Sequence, residues 1–130
     1  MTDTKWQVLE DAYRALRTVV ATVPGEAWQA PTPCSQWSAT QVLQHAAGDQ
    51  VAYASKLTDG PGPSFDPFAP SGALDGSPSA LLEPALTGTA EAFAAVDPSA
   101  DGVPVPLPPF AVSAQLAAGA AALDAAVHAW

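Results

Sequence analysis

The clearest constraint on the fold is a helix start at Ser38, which follows a proline-containing stretch. Ser is a favoured N-cap residue, and Gln41 stands where its side chain can reach back to the amide of the cap, so the two form a capping box. Trp37 and Val42 stand at the two positions of a hydrophobic staple, which fixes the direction in which the chain enters the helix. These features predict a helix that places His45 at a defined position, two turns from the start.

Four stretches carry apolar residues at the three- and four-residue spacing of an amphipathic helix. They cover about Thr4–Val23, Ala39–Leu57, Ser77–Val96 and Ser113–Trp130. Pro84 lies in the third stretch, where it removes a backbone donor and clashes with the preceding turn. We therefore expect either a kink at Pro84 or a helix that starts near Glu83. In the fourth stretch we expect an inward-facing series that consists of Leu116, Ala120, Leu123, Val127 and Trp130.

Long connections separate these helices, in keeping with a content of 14 Pro and 9 Gly. Residues 58–77 predict an irregular crossing loop, which either covers the open end of a pocket or is a tolerated insertion. The proline-rich stretch Val103–Phe110 predicts an extended segment. The fold class that follows is all-α, a four-helix bundle with long crossing loops, and residues 1–130 form one domain.

The charge of the chain excludes several classes of partner. Its formal net charge is −9, from 4 basic and 13 acidic residues, so nucleic acid and anionic membrane surfaces would repel it. No basic and apolar signal opens the chain, and no apolar run approaches the roughly 20 residues of a membrane span. The single cysteine allows no internal disulfide. We expect a cytoplasmic protein.

Three side chains are candidates for metal ligands. Asp124 and His128 are four residues apart, so they share one face of the fourth helix. Each follows a predicted core residue, and His45 likewise borders the apolar stripe of the second helix. Three ligands from two helices leave a coordination position open, which is the catalytic pattern of zinc, and ferrous iron or nickel fits the same ligand types. The alternative is that both histidines are structural.

Two further residues are weaker candidates. Asp49, four residues after His45, either orients that imidazole or is a solvated charge, and we expect the second. Cys34 is either a nucleophile or a small packing residue. We expect packing, because no base lies near it in the sequence.

Motifs at both ends of the chain resemble one known family. They comprise Thr32, Pro33, Cys34, Trp37, Ser38, His45 and Gly48 in the first half, and Asp124, His128 and Trp130 in the second. This pattern resembles the N-terminal metal-binding domain of mycothiol-dependent maleylpyruvate isomerase, a DinB-like four-helix bundle. The resemblance implies a divalent metal, usually zinc, held by His45, Asp124 and His128, with a low-molecular-weight thiol as a further cofactor.

The resemblance is limited in two ways. The acidic ligand of the family is often Glu, so the shorter Asp124 leaves open whether it binds the metal directly or through water. Relatives also continue beyond the position of Trp130, which leaves open whether the chain end is natural.

Three classes of function follow. The first is a metal-dependent transferase or isomerase that acts with a small thiol and a small-molecule substrate. The second is a non-catalytic metal-binding sensor or partner module, and the third is a bundle whose histidines are structural. A homodimer is compatible with each of them.

Overall fold

Four helices make up the frame of the protein, and the predicted all-α class is confirmed. The computed structural model of the chain describes residues 6–32, 36–74, 76–106 and 110–129. The helices are α1 (Gln7–Thr22), α2 (Ala39–Thr58), α3 (Pro78–Ala94) and α4 (Ala114–Ala129), and a short 3-10 helix covers Gly25–Gln29. Helix α1 packs chiefly against α4, and α2 packs chiefly against α3.

The start of α2 is the one that the capping box predicts. The amide of Gln41 donates to the Ser38 hydroxyl at 3.3 Å, and the amide of Ser38 donates to the Gln41 side chain at 2.9 Å. Leu43, Ala46 and Tyr53, which recur at helical spacing in the predicted second stretch, are buried. Local contacts therefore fix where the helix begins. This start determines the position of His45 along the bundle.

Helix α1 buries its predicted stripe and is tied to α3. Leu9, Tyr13, Leu16 and Val20 are all buried. The indole nitrogen of Trp6 donates a buried hydrogen bond to the carbonyl of Phe93 at 2.8 Å. This bond satisfies a buried polar group and links the start of the first helix to the end of the third.

The start of helix α3 decides between the two alternatives that Pro84 left open. It runs from Pro78 with Pro84 inside it, and the Ser77 hydroxyl caps it by accepting from the amide of Ala80 at 3.1 Å. A start near Glu83 is therefore wrong. Pro84 and Ala80 are both exposed, so water can reach the carbonyl that the proline leaves without its helical partner.

Helix α4 presents the opposite face to the one that we predicted. Leu116, Leu123 and Val127 are 59%, 64% and 56% exposed, so the inward series of large residues is wrong. The buried residues are alanines, namely Ala114, Ala117, Ala118, Ala121, Ala122, Ala125 and Ala129. Small side chains let α4 lie close to its neighbours, whose larger side chains fill the core between them.

The connection between α3 and α4 contains a minimal sheet. Two-residue strands β1 (Val103–Pro104) and β2 (Ala111–Val112) pair in antiparallel register, with Val103 opposite Val112. Val103 and Val105 are buried against the bundle. The predicted extended segment is thus found in part, and residues 107–109 lie outside the described ones.

Candidate metal centre

The three predicted ligand residues meet inside the bundle. One donor atom from each of His45, Asp124 and His128 lies within 4.8 Å of the donor atoms of the other two. Their side chains are 10%, 19% and 15% exposed. The convergence joins α2 to α4 and places two imidazoles and one carboxylate around a single point.

Each imidazole is held by a main-chain carbonyl. The Nδ1 atom of His45 lies 2.8 Å from the carbonyl oxygen of Pro67, and the Nδ1 atom of His128 lies 2.7 Å from that of Asp124. A carbonyl can only accept, so each Nδ1 carries the proton and donates it. The Nε2 atom of each ring is then the one with a lone pair for a metal, which is the usual arrangement around histidine ligands.

The crossing loop reaches His45 through a close contact with Gly48. A Cβ atom on Gly48 would stand 2.9 Å from the ring of Pro67, which is closer than side chains approach one another. Because Gly48 has no side chain, Pro67 can pack directly against α2. In this position its carbonyl accepts the hydrogen bond from His45. The ring of Phe68 lies 5.4 Å from that of His45, and the ring of Trp37 lies 4.9 Å from it on another side. Of the two predicted roles of the loop, these contacts favour the one that covers the site.

A buried polar chain positions Asp124. The Tyr13 hydroxyl donates to the side-chain oxygen of Gln50. The amide nitrogen of Gln50 donates to the carbonyl of Ala121 at 3.1 Å and lies 3.4 Å from the Asp124 carboxylate. Neither Tyr13 nor Gln50 was predicted as part of the site. The available signal was Gln50 itself, because a polar residue on an apolar stripe needs buried partners.

Asp49 is not the solvated charge that we expected. Its carboxylate lies 3.0 Å from the Nε2 atom of His45, and its side chain is 17% exposed. Helical spacing brings the two side chains to one face, and the neighbouring loop keeps much of the surrounding water away. The nitrogen that would bind a metal therefore lies within hydrogen-bond distance of Asp49 and donates to it when the ring is protonated on both nitrogens.

The electrostatics of the cluster favour a cation. A hydrogen bond that the His45 ring donates to the Asp49 carboxylate raises the pKa of His45, and one that the His128 ring donates to the Asp124 carboxylate raises the pKa of His128. Burial raises the pKa of Asp124, and the charge of Asp49 raises it further. Among the described residues, the two arginines form their ion pairs elsewhere, Arg14 with Asp11 and Arg17 with Glu83. Two carboxylates and two imidazoles are a donor set that a divalent cation fits.

We expect the stability of the metal-free protein to fall as the pH rises. The pKa values of His45, His128 and Asp124 are all raised in the folded chain, so folding binds protons and the stability gained is lost as pH rises through the folded pKa values. For the histidines this loss begins near the ordinary pKa of about 6.5. The melting temperature measured in a chelator should fall by a few degrees between roughly pH 6 and 8.

A His45→Gln, His128→Gln variant is the control, because glutamine does not titrate. Its melting temperature should depend less on pH over the same range. A wild-type melting temperature that rises with pH would contradict the assigned hydrogen bonds.

Other features fall partly outside the described residues. Cys34 and Trp130 belong to this group, so neither the packing role of the one nor the inward position of the other is tested. In the part of the chain that the structure covers, no helix is both long and apolar enough to span a membrane.

Taken together, the fold and the site define a DinB-like helical bundle with a candidate centre of two histidines and one carboxylate. The chain belongs to the family of the mycothiol maleylpyruvate isomerase N-terminal domain, whose sequence profile matches residues 9–130. Comparison with curated proteins and with solved structures finds no match.

Proposed function

We propose that the protein binds one divalent metal ion, zinc in the first place, and uses it with a low-molecular-weight thiol in a transferase or isomerase reaction. The observation that carries the proposal is the orientation of the two histidines. Both hold Nδ1 on a carbonyl, which makes Nε2 the nitrogen with a lone pair in the neutral ring, and both lie next to Asp124. An ion at the site would take the place of Asp49 as the partner of the His45 Nε2. Membership of a family named for mycothiol, a thiol, supports the choice of cosubstrate.

The residues of the chain divide the work between them. His45, Asp124 and His128 would hold the ion, and Pro67 keeps the His45 ring in its tautomer. When bound, the ion would lower the pKa of a thiol so that it is present as the nucleophilic thiolate. Three protein ligands leave a coordination position for that thiol, as in catalytic zinc sites. Iron or nickel fits the same donors, so the metal itself remains to be measured.

A second candidate function rests on the position of Asp49. Its carboxylate lies 3.0 Å from the His45 Nε2 atom, outside the group of three candidate ligands, and would become a fourth protein ligand if it turned from His45 to the ion. Four protein ligands would close the coordination shell, which is the pattern of structural zinc. In that case the protein would be a non-catalytic metal-binding module.

Elemental analysis followed by an activity assay tests these alternatives. We expect about one equivalent of metal per chain in protein purified without added metal, and thiol-dependent turnover when mycothiol and maleylpyruvate, or mycothiol and a general electrophile, are supplied. Turnover should disappear when the metal is removed by a chelator and return when it is restored.

Each negative result points to a different conclusion. Metal without turnover for any of these substrates would favour the non-catalytic module. If the chain holds no metal and takes none up, the histidines are structural and the proposed function is wrong.

A further inference from the structure

An apolar cavity adjoins the candidate metal centre. It has a volume of about 340 Å³ and lies between the end of α1, the start of α2 and the end of α4. Leu16, Val20, Val42 and Leu43 contribute to its walls, and His128 is part of its lining. The size is within the range of small-molecule sites, which begin at about 300 Å³.

The lining of the cavity selects an uncharged, apolar occupant. Among the described residues that line it, none is a carboxylate, Lys or Arg, and the side chains with a polar group are Thr32, His128 and Trp28, whose indole has one N–H donor. The Thr32 hydroxyl donates to the carbonyl of Trp37 at 2.9 Å, and His128 belongs to the candidate metal ligands, so both of these polar groups already have partners or roles. A dry cavity of about 150 Å³ is enough to hold benzene, so this one has room for about twice that volume of hydrocarbon.

His128 connects this cavity to the metal ligands. Its ring lies 4.6 Å from the ring of His45, and its donor atom belongs to the cluster with Asp124. Val127, the neighbouring residue, also lines the cavity and is 56% exposed, so the cavity reaches the surface beside it. One wall of the cavity is thus shared with the candidate metal centre, and another side of the cavity is open to solvent.

A second cavity has a different character. It has a volume of about 570 Å³ and is lined in part by Gln44, Ser71 and Ser77, with none of the three candidate ligands among its described lining residues. It therefore has neither the apolar lining nor the contact with His128 that distinguish the first.

We propose that the 340 Å³ cavity binds the hydrocarbon part of the substrate, an alkyl or aryl group of up to two fused rings, while the reacting end of the molecule lies at the cluster beside His128. This proposal rests on the proposed function, because the cluster supplies the reacting end. The substrate class is a small amphipathic thiol or electrophile.

A series of alkyl thiols tests the proposal in cobalt-loaded protein. Cobalt(II) serves as a visible probe, because its absorption changes when a thiolate binds. Ethanethiol, butanethiol and hexanethiol would be titrated at one pH. We expect the dissociation constant to fall roughly two- to fourfold for each added methylene, as burial of the chain in an apolar cavity requires.

Two matched variants locate the effect. Val42→Trp fills the cavity from its half-buried edge and should remove the dependence on chain length. Val51 is also half-buried on α2 but does not line the cavity, so Val51→Trp should keep the dependence of the dissociation constant on chain length. If Val42→Trp does not fold, Val23→Trp introduces the same bulk from the end of α1.

A dye makes the test independent of the metal. Metal-free protein should bind about one equivalent of the neutral probe N-phenyl-1-naphthylamine, and hexanethiol or Val42→Trp should prevent this. The cavity proposal would be overturned if the dissociation constant did not depend on the length of the thiol and the dye did not bind. A change of the cobalt spectrum on addition of thiols would, in that case, still support the proposed function. Failure to bind cobalt would overturn the proposed function and the role of the cluster, and dye binding would then decide whether the cavity takes hydrocarbon.

Discussion

Replacing His45 with Ala should abolish stoichiometric metal binding. The residue supplies the ligand from α2, and Asp124 and His128 on α4 would be left with two donors between them. Loss of an outer partner of a metal ligand costs roughly 10- to 100-fold in affinity, so loss of the ligand itself should exceed that. We expect a competitive zinc titration to show a decrease of more than about 100-fold, and His128→Ala to behave similarly.

The comparison needs a control for charge and one for folding. Asp124→Asn removes a carboxylate from the cluster and should weaken binding, whereas Asp101→Asn removes an exposed carboxylate and should not. Circular dichroism of each metal-free variant checks that the bundle is intact. Unchanged metal content in folded His45→Ala would remove His45 from the site and refute the three-ligand centre.

The orientation of α4 predicts a large effect from a small residue. Ala118 is fully buried, so Ala118→Leu inserts three carbons into a packed interface and should destabilise by about 1–3 kcal/mol. Leu123 is 64% exposed, so Leu123→Ala should change the free energy of unfolding by less than about 0.5 kcal/mol. The measurement is denaturant unfolding of both variants under one condition.

Ala126→Leu is the matched control for Ala118→Leu. It makes the same change on the exposed side of α4 and should have little effect. The opposite order, with Leu123→Ala costing the roughly 2–5 kcal/mol of a buried leucine, would show that the apolar series of the sequence faces the core after all.

Local signals in the sequence predict most of the helical frame and miss one helix face. The capping residues of α2 and the spacing in α1 act within a few residues, so they can be interpreted without knowing the fold. In α4, by contrast, hydrophobicity favours Leu116 and Leu123 as the buried face. Which face is buried depends on how closely neighbouring helices approach, and this favours alanine over leucine here.

The candidate site shows the same division. The three ligands were predicted from the spacing of Asp124 and His128 and from the family resemblance. The structure places their donor atoms close together. The carbonyl of Pro67 was not predicted as a partner of His45, and the contact with Asp49 was the alternative that we did not expect. The first contact depends on the path of a long irregular loop, and the second on whether that loop leaves the carboxylate in water.

The ligands come from α2 and from α4, which lie far apart in the sequence. An ion held between them would act as a reversible cross-link that closes the segment between residues 45 and 124 of the 130-residue chain into a loop, and such cross-links restrict the unfolded chain. Because the complete donor set exists only in the folded chain, the free energy of unfolding would increase with the concentration of free ion, by about 2.7 kcal/mol at one hundred times the dissociation constant. The amount of folded protein would then follow the supply of metal.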